Sequence, residues 1–229
     1  MKDLSGLQKT IKVQFSNEKL LQQALVHRSY LNENPNFELE QNERLEFLGD
    51  AVLELIVTEH LYQNYENQEG DLTNWRAALV NGTTLATVAR EIGVEEFLYL
   101  SKGESKDNNT KARNYILANS MEAIIGAIYL DQGYDESKKF IDEWIISKLP
   151  NILEHKLYMD AKTKFQESSQ EKTSFTPIYK VLSESGPDHK KEFVIGVYID
   201  DVEIAQGNGT SKQEAETDAA KAGLEVKGW

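Results

Sequence analysis

The stretch Asn42-Glu43-Arg44-Leu45-Glu46-Phe47-Leu48-Gly49-Asp50-Ala51-Val52-Leu53 decides how the rest of the chain is read. Its apolar residues, continued by Leu55 and Ile56, recur at helical spacing. On such a helix Glu43, Glu46 and Asp50 fall at i, i+3 and i+7, so all three project from one face. Three like charges on one stripe repel. A solvated acidic face is one reading of the triplet. Leu45, Phe47, Leu48 and Val52 surround it, however, and a mostly apolar helix that still carries aligned carboxylates points to ligation of a cation.

Outward from there, Ile116-Leu117-Ala118-Asn119-Ser120-Met121-Glu122-Ala123-Ile124-Ile125-Gly126-Ala127 is apolar apart from Asn119, Ser120 and Glu122. A glutamate in that setting is costly if buried without a partner. A metal shared with the first helix supplies one partner and a salt bridge to an Arg such as Arg113 supplies another, and spacing alone leaves both open. Oxygen-only donors are what Mg²⁺ prefers, with several waters retained.

Apolar residues keep helical spacing from 20 to about 149, for example Leu79, Leu85, Val88, Ala89 and Ile92. Segments rich in Asn, Gly, Ser and Lys at 32–36, 64–70 and 101–109 read as turns between helices. The character changes near Pro150. A short helical pattern at 160–168 is followed by strand-like runs at 178–182, 193–199 and 202–205, with Asp200-Asp201 as a two-residue hairpin turn. A last helix is expected from about 211 to 224, Ser211 being its N-cap and Glu214 standing at the capping-box spacing. The expected architecture is an all-α domain at 1–150, a linker at 151–158 and a small α+β domain of order α-β-β-β-α at 159–229.

Composition bounds the function classes. A chain of 229 residues, 40% hydrophobic and 28% charged, can bury one sizeable core and a second small one. It has no cysteine, so neither disulfides nor a thiolate metal site are possible. The first residues lack an apolar signal region, and no run approaches the roughly 18 apolar residues of a membrane span. A cytoplasmic location without membrane association is therefore expected. The net charge of −13 argues, by itself, against a nucleic-acid partner. An enzyme that meets phosphates through metal ions can nevertheless carry its acidic residues as ligands.

The motif at 42–53 closely resembles the signature of ribonuclease III domains. Leu20-Leu21-Gln22-Gln23-Ala24-Leu25-Val26-His27-Arg28-Ser29-Tyr30, Glu69-Gly70-Asp71-Leu72-Thr73 and 116–130 resemble three further blocks of that family, in the same order. The C-terminal part is similar to a double-stranded RNA-binding domain at 160–167, 186–193 and 207–215. The resemblance implies a homodimeric endonuclease that hydrolyses phosphodiesters of double-stranded RNA with Mg²⁺ or Mn²⁺ and no small-molecule cofactor, leaving 5′-phosphate and 3′-hydroxyl ends. It implies processing of ribosomal precursors and other structured RNAs. Matched residue by residue, it places Glu46, Asp50, Asn119 and Glu122 at the metal, with Asp50 and Glu122 catalytic. Glu43 and Glu69 would lie near the scissile phosphate or serve the dimer interface; the apolar Phe47, Leu48 and Trp75 are candidates for that interface, with ordinary core packing the other reading. Thr163, Gln166, Glu167, His189, Lys190, Ser211 and Lys212 would contact RNA.

Two departures stand out. Asn119 occupies a position where the family commonly has Asp, which removes a negative charge but keeps a carbonyl oxygen. A natural active variant, an engineered substitution or a weakened enzyme that only binds duplex RNA are the three readings. The second departure is in the duplex-binding part, where nine lysines face thirteen acidic residues from 158 onward and Gln213 stands where the family often has Lys. Duplex RNA is read largely by shape and 2′-hydroxyls, which polar side chains can contact. His27 is expected to pack and hydrogen-bond within the fold rather than act as a base.

Overall fold

The computed structural model describes residues 2–106, 111–187 and 191–229. They fall into two compact units, 1–155 and 156–229. The first is helical: α1 (Ser5–Ile11), α2 (Glu18–Ala24), α3 (Arg28–Glu33), α4 (Glu43–Asn64), α5 (Glu69–Val80), α6 (Gly82–Ile92), α7 (Lys111–Gln132), α8 (Tyr134–Trp144) and α9 (Leu149–Glu154). Helix α7 is its axis. Ile116, Leu117, Ala118, Ser120, Met121 and every residue from Ala123 to Ile128 are buried, as α2, α4, α6 and α8 pack around it. That is why its sequence is apolar on all sides rather than striped. None of the described helices is long and apolar enough to cross a membrane.

Helix starts follow local chemistry. Asn17 and Asn81 cap α2 and α6 through their side-chain oxygens, and Gly93 closes α6 in the left-handed conformation. The expected linker begins later than its composition suggests. Pro150 sits in the first turn of α9, where its missing N–H costs nothing, and Ile152 is buried in the helical unit. Trp75 also differs from its reading as an interface residue. It is only 8% exposed, and its ring meets Tyr65 edge-on at 5.2 Å, so it belongs to the core of this unit. Phe47, by contrast, is 81% exposed. Residues 107–109 of the expected turn lie outside the described residues.

The second unit runs α10 (Ala161–Thr173), β1 (Ile178–Ser185), β2 (Glu192–Ile199), β3 (Val202–Gly209) and α11 (Lys212–Lys227). The sheet is antiparallel in the order β1-β2-β3. Phe193, Ile195, Val197 and Ile199 alternate inward along β2. They meet Phe165 of α10 and Ala215, Ala219 and Ala220 of α11. Asp200 and Asp201 both take positive φ, 48° and 59°, as a two-residue hairpin of the primed type requires. β1 extends beyond the expected 178–182 because a bulge at Leu182 restores its pairing with β2. β3 continues through Gly207, where α11 comes so close that a Cβ would stand 2.0 Å from the Ala219 amide nitrogen.

Candidate active site and RNA-binding surface

Helices α4 and α7 cross where neither carries a side chain. A Cβ on Gly49 would stand 1.7 Å from the Glu122 carbonyl oxygen, and one on Gly126 would stand 2.2 Å from the Leu45 carbonyl oxygen. This backbone contact sets the positions of the acidic residues around it. Glu46 lies one turn before Gly49, Asp50 directly after it, and Glu122 one turn before Gly126.

Their electrostatics record the proximity. The Glu122 carboxyl is pushed up to about 7, first by burial and then by the charges of Asp50 and Glu46. Glu46 is also held above its ordinary value by burial, Glu43 and Asp50, while a hydrogen bond from the Asn119 side chain opposes the rise. Arg113, the other partner considered for Glu122, lies 3.1 Å from Glu95. The structure thus brings together Glu46, Asp50, Asn119 and Glu122. Among the described residues no three His, Cys, Asp or Glu side chains are grouped tightly enough to enclose an ion. The donor set is nonetheless chemically suited to a hard divalent cation, since all donors are oxygens, two carboxylates are half-buried, and Mg²⁺ binds through a few carboxylates with retained water.

A pH dependence follows for the metal-free protein. The folded-state pKa of Glu122, about 7, exceeds the ordinary glutamate value of 4.5. The folded chain therefore holds an extra proton between those values, and stability falls as pH rises through that window. In EDTA, Glu122→Gln is expected to melt above the parent at pH 8, with the advantage disappearing at pH 4. Thermal melts across that range check it, and a difference independent of pH contradicts it.

The other acidic positions divide. Glu43 is exposed at the start of α4, accepts from Gln41 Nε2 at 2.9 Å and lies 3.9 Å from Arg28. Its charge reaches Glu46. Glu69 stands elsewhere, at the start of α5, where it accepts from Thr73 at 3.0 Å and lines a cleft with Tyr62, Tyr65 and Arg76. His27 is a structural residue. Half-buried, with its pKa lowered first by burial, it pairs with the Ser29 hydroxyl at 2.8 Å and caps α3. Sequence reasoning gave no role to Gly49 and Gly126, although glycine inside a helix is a signal of close backbone approach.

In the second unit, Thr163, Gln166 and Glu167 are exposed on α10. Asp160 caps that helix, accepting from the Lys162 and Thr163 amides. Ser211 caps α11 by accepting from the Glu214 amide at 3.2 Å. Glu214 reaches back to the Thr210 amide at 2.8 Å, one residue earlier than a standard capping box. Lys212 opens α11 from an exposed position with its ammonium 5.8 Å from the Phe193 ring centre. Its charge sits where helix amides also favour an anion. His189 and Lys190 lie outside the described residues.

Comparison with known proteins agrees with this geometry. Residues 17–149 match the family model described as Ribonuclease-III-like, and residues 161–227 match the double-stranded RNA binding motif. A Ribonuclease 3 from Dehalococcoides mccartyi is 42% identical over 98% of this chain and 95% of its own length. A Ribonuclease 3 from Campylobacter curvus is 42% identical over 98% of each chain. The solved nuclease domain of ribonuclease III from Campylobacter jejuni is 35% identical and covers 65% of this chain and 99% of its own, with a TM-score of 0.56; its description concerns flexibility in a region involved in dimer formation.

A helical nuclease domain followed by a double-stranded RNA binding motif makes this protein a ribonuclease, hence a hydrolase, that carries its own duplex-binding module. The chain belongs to the ribonuclease III family.

Proposed function

We propose that the protein is a cytoplasmic endonuclease that hydrolyses double-stranded RNA to 5′-phosphate and 3′-hydroxyl ends in processing ribosomal precursors and other structured RNAs. The observation that carries the reading is the backbone contact at Gly49 and Gly126, which sets two carboxylates of α4 beside one of α7. In this reading Glu46, Asp50 and Glu122, with Asn119 beside them, hold Mg²⁺ or Mn²⁺. The cation, when bound, activates water, orients the scissile phosphate and neutralises charge on the leaving oxygen. Asp50 is exposed, whereas Glu122 is half-buried, its carboxyl pushed up to about 7 in the metal-free protein by burial and by the charges of Asp50 and Glu46. The reading divides the chain into nuclease domain, linker and duplex-binding domain, with the end of the nuclease domain moved from 150 to about 155 by α9.

The reading includes a homodimer. Phe47, Leu55 and Tyr62 of α4 are 81%, 58% and 80% exposed, and their spacing sets them along one face of that helix. With one active centre per subunit, a dimer cuts both strands of one duplex.

Incubating a long RNA duplex with the protein in Mg²⁺ and in EDTA tests the activity. Metal-dependent internal cuts support it, whereas binding without cutting in Mg²⁺ leaves a duplex-binding protein. For the second unit, Lys212→Ala is expected to weaken duplex binding for all sequences alike and to reduce the slope of log affinity against log salt by about one. Salt-dependent binding curves read this directly.

A further inference from the structure

The helical unit holds all five arginines of the chain, and the duplex-binding unit holds none. Arginine's planar fork of N–H donors is the side chain best matched to a phosphate. Three of the five are committed elsewhere. Arg113 is buried and lies 3.1 Å from Glu95, Arg76 lies 3.1 Å from Glu54, and Arg90 donates to Asn114 at 2.6 Å. Arg44 lines an apolar hollow with Leu20, Phe47 and Leu130. Arg28 is different. Its side chain is 70% exposed and makes no hydrogen bond among the described residues. It meets Glu43 only at 3.9 Å, the distance of a loose charge pair.

The backbone fixes where that guanidinium starts. The Asn42 amide donates to the Val26 carbonyl at 2.9 Å, the buried Asn42 side chain donates to the Ala24 carbonyl at 3.2 Å, and the His27 amide donates to the Tyr99 carbonyl at 3.1 Å. The residues just before Arg28 are thereby tied to the residue just before Glu43. From Glu43 the carboxylate row continues along α4 to Glu46 and Asp50, and the charge of Glu43 reaches Glu46. Arg28 therefore stands at the head of the row.

We propose that Arg28 is a phosphate-binding residue of the nuclease domain: in the free protein it is parked against Glu43, and in the complex it exchanges that carboxylate for an RNA backbone phosphate neighbouring the scissile one. The inference rests on the reading above, in which RNA meets this row. A chain of net charge −13 repels a duplex, and a fixed cation at the head of the row gives the strand an attractive point that needs no metal. Two parallel N–H···O bonds from one guanidinium also set the direction of approach. Loose pairing suits such an exchange, because a close bidentate ion pair would have to be broken first.

Duplex binding in EDTA across a salt series, and steady-state cleavage of a long duplex in Mg²⁺, test this on the full-length protein. The Arg28 side chain is exposed, so substitutions there leave the fold intact. Arg28→Ala is expected to lower the slope of log affinity against log salt by about one. It should raise KM about tenfold with kcat within a factor of about two, because a phosphate beside the reacting one is held alike in ground and transition states. Arg28→Lys, which keeps the charge but loses the fork, should restore the slope and only part of KM. Glu43→Gln should bind duplex more tightly than the parent, and that gain should vanish in the Arg28→Ala background.

An Arg28→Ala protein with the parent's salt slope and KM overturns the proposal. So does a Glu43→Gln gain that persists undiminished without Arg28, since it then reflects only the loss of a repelling charge. A parent that binds duplex RNA without cutting it in Mg²⁺ defeats the nuclease reading instead, and the salt slope and the Glu43 cycle still decide whether Arg28 holds a phosphate.

Discussion

Glu122→Ala should cut duplex RNA at least about a thousandfold more slowly than the parent at saturating Mg²⁺ while binding duplex RNA within a factor of about two. The rate loss corresponds to roughly 4 kcal/mol of transition-state stabilisation, a usual scale for losing the effective placement of a metal. The reason is positional. Glu46 and Asp50 both come from α4, and Glu122 is the carboxylate that α7 contributes across the crossing. Without it the remaining carboxylates that would hold the cation both come from α4. Binding is spared because the exposed residues of α10 and the start of α11 belong to a separate compact unit. The fold is spared too, since alanine suits a helix interior and removing a repelling charge does not destabilise the metal-free protein. Single-turnover cleavage, with duplex binding measured in EDTA, separates the two effects. Retention of the parent rate would remove Glu122 from the chemistry.

Gly49→Ala should be the most disruptive glycine-to-alanine change among the glycines whose surroundings are described. The added methyl group would sit 1.7 Å from the Glu122 carbonyl oxygen, which is backbone and cannot rotate aside. The helices must separate, at a cost of about 3 kcal/mol or more in a packed core. For a protein of this size that lowers the melting temperature by roughly 10 °C. Cleavage should fall with it, because the atom displaced belongs to Glu122 itself. Gly70→Ala is the natural control. Gly70 is also helical, but nothing lies within 4 Å of its would-be Cβ. There the same substitution should be neutral or stabilising by about 0.5–1 kcal/mol. Equal melting temperatures for the two variants would mean that the crossing is looser than described.

Much of this was legible in the residues. The aligned carboxylates of α4 and the lone glutamate of α7 were visible because charge in an apolar helix calls for a partner, and the hairpin at Asp200-Asp201 because its flanks alternate. What escaped depends on which helix meets which. Trp75 looks the same in sequence whether it faces a partner chain or, as here, Tyr65. Pro150 reads as a break although at the start of α9 it begins a helix. Glu69 stands in a motif beside the others by resemblance, yet lies in a different cleft of this unit. The closeness of Glu122 to Asp50 and Glu46 joins residues far apart in the chain, so nothing local could announce it.

Gly49 and Gly126 also lie in helices far apart in the chain, and the order of synthesis therefore gives the carboxylate cluster a birth date. When α4 emerges, its carboxylates are already aligned, but Leu45, Val52, Leu53, Ile56 and Val57 lack the helix that will bury them. Only once α7 follows can the crossing close and Glu122 join Glu46 and Asp50. A half-made chain consequently has no assembled carboxylate cluster, and on the proposed reading a nuclease made beside the duplexes of its own translation machinery stays inert until α7 has been translated.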